Sequence, residues 1–105
     1  MWFGSKESKE QILVKSASRL SEMSKSLVGL CKSQNDKTVA TQMEHIAEEI
    51  KYLANSDADN INRIDKKLEN AIMDLKQYMN SKNEVRQQRA ITEMKKLLIE
   101  RNGLI

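Results

Sequence analysis

The side chains with the most chemical potential sit together in Glu44-His45-Ile46-Ala47-Glu48-Glu49. His45 is the only histidine, and Glu48 and Glu49 follow it by three and four residues, the spacing that brings side chains together on one helical face. A carboxylate-bridged metal site in a helical bundle takes Glu-x-x-His from two helices plus further glutamates. Here Glu48 and Glu49, the glutamates at helical reach, follow the histidine and a second histidine is absent, so neither a metal nor another cofactor is expected. What the stretch does offer is an outward face of Thr41, His45, Glu48, Glu49 and Tyr52. It reads as a solvated face with an incidental tyrosine, or as a partner surface, since aromatic groups are enriched at interfaces. Met73 stands apart from the other methionines, among Asn62, Lys66, Glu69 and Lys76, and is a second outward apolar group. His45, Glu48, Glu49, Tyr52 and Met73 are therefore the candidate partner surface.

Cys31 is the only cysteine, which excludes an intramolecular disulfide. A thiol nucleophile needs an activating base, and no motif links Cys31 to His45, so core packing is its expected role. There is no glycine-rich phosphate loop, and an enzyme is not expected. Lys82, Arg86, Arg89, Glu93, Lys96 and Glu100 form a mostly basic stripe at helical spacing. Glutamates interrupt it and no aromatic stands by to stack on bases, so nucleic acid is an unfavoured partner. Trp2 and Phe3, two of the four aromatics, lie just ahead of a basic segment. They are candidates for contact with a partner or a membrane interface, or for covering the end of a core.

Positioning these groups requires helices. The chain contains no proline and three glycines in 105 residues, too few turn formers for a strand-rich fold. Hydrophobic residues make up 39% and charged residues 31%, with both signs mixed, which together with regular periodicity argues against disorder. Ile61, Ile64, Leu68, Ala71, Ile72, Leu75, Tyr78 and Met79 recur at three-and-four spacing and predict a helix over about 57–79. Leu13, Leu20 and Leu27, seven apart and joined by Met23 and Leu30, predict a first helix over about 6–33, capped by Ser5 or Ser8. Val39, Met43, Ile46, Ile50 and Leu53 predict a second over about 37–54, entered through Asn35 or Asp36.

Ser56 and Asp59 suggest a capping box for the third helix, and Ser81 with Glu84 suggests another for a fourth over about 83–102. The fourth helix places Ala90, Ile91, Met94, Leu97 and Leu98 on its face and leaves Val85 out. Extending the third helix's heptad forward instead gives Lys82, Val85, Arg89, Thr92, Lys96 and Ile99, a mostly polar row. This phase break favours a turn at 80–83, although no glycine or proline enforces it. Gly103 is expected to end the last helix in a left-handed conformation.

The reading is all-α: one domain over residues 1–105, an antiparallel up-down bundle of four helices, or of three if 80–83 does not turn. Net charge is +3. The 36–60 segment holds two basic and six acidic residues, whereas each of the other segments is mildly basic. The longest apolar run, Leu27 to Cys31, is far short of the ~20 residues of a membrane span. With no signal peptide apparent, a soluble cytoplasmic protein is expected. The functional expectation is a small non-enzymatic interaction module, an adaptor or a self-associating bundle. A peripheral membrane protein using Trp2 and Phe3 is the alternative.

Overall fold

The computed structural model describes residues 8–105, and over them the chain forms α1 (Lys9–Lys32), α2 (Lys37–Lys51), α3 (Asp59–Asn80) and α4 (Glu84–Gly103). Three of the four helices begin at a side chain that satisfies otherwise free backbone N–H groups. Ser8 caps α1 in a capping box, its hydroxyl accepting from the Gln11 N–H and the Gln11 side chain accepting from the Ser8 N–H. Asp36 accepts from the Thr38 and Val39 N–H groups at the start of α2. Asn83 accepts from the Arg86 N–H at the start of α4.

The two expected boxes with aspartate or glutamate do not form. Ser81 turns its hydroxyl back to the Tyr78 carbonyl, and Asn83 takes the capping position. Ser56 accepts from the Ala58 N–H, and α3 starts at Ala58 without a side-chain cap.

The chain does turn at 80–83, so the four-helix form holds and the three-helix form is excluded. The stop is a Schellman motif: the Asn83 N–H reaches the Tyr78 carbonyl at 2.9 Å and the Lys82 N–H reaches the Met79 carbonyl at 3.1 Å. Its left-handed residue is Lys82, at φ 55°, in the place usually held by glycine. Gly103, expected to be left-handed, is instead the last residue of α4 with φ in the ordinary negative range, and Leu104 caps the helix.

α2 ends at Lys51 rather than near Ala54, because other helices claim the backbone beyond it. Arg101 of α4 donates to the Ala54 carbonyl at 2.8 Å, and the Ser56 N–H donates to the Ser16 hydroxyl of α1 at 3.0 Å. Asn55 reaches the Leu13 carbonyl, and Asn62 of α3 donates to the carbonyls of Ser56 and Ala58. Side chains from three helices thus strap the 52–58 link in place.

These ties also fix the topology. The start of α1, the end of α2, the start of α3 and the end of α4 share one end of the bundle. α1 packs mainly on α2 and α3 on α4, and the two hairpins meet through α1 against α3 and α2 against α4. The backbones of α2 and α3 do not approach within 8 Å between Cα atoms, so the link crosses the bundle diagonally. α2 and α4 consequently lie side by side and run in the same direction.

The core is a single cluster that includes Leu20, Met23 and Leu27 of α1, Met43, Ile46 and Ile50 of α2, Leu68, Ile72 and Leu75 of α3, and Ile91, Met94 and Leu98 of α4. Each such side chain contributes about 1.5–3 kcal/mol through removal from water. Most of the apolar faces expected from periodicity are buried, while Leu13, Leu30, Val39, Leu53, Tyr78 and Met79 are half-buried at their edges. In α1 Ser16, in one heptad row with Met23 and Leu30, is buried and tied to the 52–58 link, and Ala17 is exposed.

Two polar groups close the bundle ends. At one end Arg101 and Asp65 are wholly buried, with Nε 2.7 Å from Oδ1 and Nη2 3.2 Å from Oδ2. At the other, Gln34 of the first turn donates to Gln87 of α4 at 3.1 Å, and Gln87 donates to the Tyr78 carbonyl.

Candidate functional site

α2 and α4 share the looser of the bundle's sides, because the core-facing arcs of both helices are turned toward their hairpin partners and the bundle centre. Between them runs an open groove of about 320 Å³ lined by Gln42, His45, Ile46, Glu49, Lys95 and Ile99. The helical period selects these residues: Gln42, His45 and Glu49 sit at three-and-four spacing on α2, as do Lys95 and Ile99 on α4. A bond of 3.3 Å from the Gln88 side-chain amide nitrogen to the Gln42 side-chain oxygen Oε1 ties the two helices across the groove. Ile99 is 72% exposed at its lower edge, and Tyr52, three residues beyond Glu49, is 73% exposed. Lys51 places its ammonium 5.5 Å from the centre of the Tyr52 ring, holding it at the surface end of α2.

His45, Glu48 and Glu49 fall on exposed positions of α2, and Tyr52 is the exposed residue that caps its C-terminus. Met73 does not join them. It is 59% exposed but projects from α3, which stands diagonally across the bundle from α2. The five-residue surface is therefore split by topology, which helix periodicity alone does not encode. In its place the structure supplies Lys95 and Ile99 of α4. Their signal was present in sequence, since Val85, Thr92 and Ile99 are seven apart and out of phase with the buried face of α4. Val85, 67% exposed, extends that row to the far end of the helix.

The groove brings an imidazole, a carboxylate and an ammonium near an apolar edge, with no hydroxyl or thiol nucleophile among its lining residues. That set suits ion pairing, hydrogen bonding and apolar contact. No group of three or more metal-ligating side chains occurs among the described residues. The Cys31 thiol is half-buried and donates to the Ala40 carbonyl at 3.2 Å, which ties α1 to α2. The basic stripe from Lys82 to Glu100 lies exposed, and Arg86 stacks over the Tyr78 ring at 5.7 Å. Trp2 and Phe3 lie outside the described residues. No described helix is long and apolar enough to cross a membrane.

A second concavity of about 370 Å³ lies between α1 and the end of α2, where Leu20 and Leu53 meet Ser24, Lys25 and Lys51. Ser24 is already committed, donating to the Ala47 carbonyl at 2.9 Å. No family model matches the chain, and neither does any curated protein or solved structure.

Proposed function

We propose that this protein is a small helical protein–protein interaction module that binds through the outer face of α2 and α4. The observation that carries the reading is the strong exposure of two apolar side chains, Ile99 in the wall of a groove that also presents Glu49 and Lys95, and Tyr52 three residues beyond Glu49. Apolar anchors beside charged groups are the make-up of a binding patch with a polar rim. An intracellular, cytoplasmic setting and the absence of enzymatic chemistry belong to the same reading.

The test is affinity capture on immobilised chain, offering both a lysate and free chain of the same sequence. Tyr52→Ser with Ile99→Ser, both exposed and outside the core, should reduce the captured partner at least about tenfold, the scale of hot-spot loss. Equal capture by both baits contradicts the proposal. The membrane alternative draws on Trp2 and Phe3. Vesicle co-sedimentation abolished by Trp2→Ala with Phe3→Ala would favour it instead.

A further inference from the structure

We propose that the occupant of the α2–α4 face is the same face of a second copy of this chain, the two copies being related by a two-fold axis parallel to the helices. This inference rests on the reading of that face as a binding surface and names its partner.

The argument is one of register. The Gln88–Gln42 bond sets the two parallel helices level with each other. Counting from it, Glu49 lies seven residues further along α2, and Lys95 lies seven residues further along α4. Tyr52 and Ile99 lie ten and eleven residues along, and Thr38 and Val85 lie four and three residues back. At about 1.5 Å per residue each of these pairs is level to within about 2 Å. The face is therefore layered: an apolar layer of Tyr52 and Ile99, an acid–base layer of Glu49 and Lys95, an amide layer of Gln42 and Gln88, and a small apolar layer at Val85 and Thr38.

A two-fold axis parallel to the helices keeps every layer at its own height while exchanging α2 for α4. Tyr52 then meets Ile99 of the second copy, and Glu49 meets Lys95 of the second copy. An axis perpendicular to the helices inverts the layers and sets both charged groups against amides. Complementarity of charge selects the parallel arrangement, in the isologous form typical of homodimers. Its size is modest. Fifteen residues of α2 beside the matching stretch of α4 span about 22 Å, and two helices set 8–10 Å apart present a strip about 20 Å wide. That strip is about 450 Å² per copy, or about 900 Å² in total, the size of a weak, transient interface. A weak, concentration-dependent dimer follows.

Sedimentation velocity with charge-reversed variants tests this. Wild-type chain should approach twice the monomer mass between roughly 10 µM and 1 mM, the range of a weak interface. Glu49→Lys alone and Lys95→Glu alone each place like charges across the interface and should weaken dimerisation at least about tenfold. An equimolar mixture of the two variants restores opposite charges between copies while leaving like charges within each, and should dimerise as wild type does. Both sites are exposed, and unchanged helicity by circular dichroism confirms that the variants fold. Wild-type chain that stays monomeric at the highest concentration overturns the proposal, as does a mixture no better than its components. If wild type is monomeric while capture of another protein still depends on Tyr52 and Ile99, the occupant is wrong and the face stands. Loss of both removes the face as well.

Discussion

Asp65 and Arg101 show how much a single buried pair can decide. A carboxylate and a guanidinium withdrawn from water cost several kcal/mol each in desolvation, and their mutual attraction offsets this only with good geometry. The side-on contact of Nε and Nη2 with the two carboxylate oxygens supplies that geometry, and the Ala54 carbonyl takes a further bond. Among the described residues Nη1, also buried, finds no acceptor. Arg101→Met should therefore destabilise the protein by about 3–5 kcal/mol, because it strands a buried carboxylate. Asp65→Leu combined with Arg101→Met should recover most of that loss, since an apolar pair removes both desolvation penalties and the orphaned donor. Urea unfolding of the two variants measures the difference; a double variant as unstable as the single one contradicts this account.

Among the elements, the helix boundaries show what sequence could and could not reveal. The faces of α3 and α4 were legible because their apolar residues recur every three or four positions and are the ones buried. The end of α2 was not, because Leu53 and Ala54 continue its periodicity while Ser16, Asn62 and Arg101 capture the backbone just beyond. Those ties are long-range, and none leaves a local signal. Asp65 was likewise invisible as a core residue: on a helix wheel it is one more charge beside an apolar seam, and only its partner 36 residues away gives it a buried place. The turn at 80–83 was legible as a phase break without its mechanism, since a Schellman motif with lysine in the left-handed position lacks the glycine that would announce it. A left-handed backbone costs a non-glycine residue about 1 kcal/mol or more. Lys82→Gly should accordingly stabilise the protein by about 0.5–1 kcal/mol after the added freedom of the unfolded chain is subtracted. Thermal melting checks it, and a lower melting temperature would show that Lys82 is held there by contacts its φ angle does not reveal.

Across the whole molecule, the diagonal link is what creates a surface. Because the chain crosses from α2 to the far corner before starting α3, α2 ends beside α4 in parallel, with Gln42 level with Gln88 and Glu49 level with Lys95. Periodicity had marked the outward residues of α2 but grouped them with Met73, which the crossing sends to the opposite corner, and had passed over Ile99. The claim that the α2–α4 face pairs two copies of this chain is tested most directly by backbone amide chemical shifts across a dilution series of the isotope-labelled chain, from about 20 µM to about 1 mM, the range of a weak interface. The account predicts shifts that grow with concentration along residues 42–52 of α2 and 85–99 of α4, strongest near Tyr52 and Ile99. Shifts concentrated instead around Val14 of α1 or Met73 of α3, or a spectrum that does not change with concentration, would contradict it.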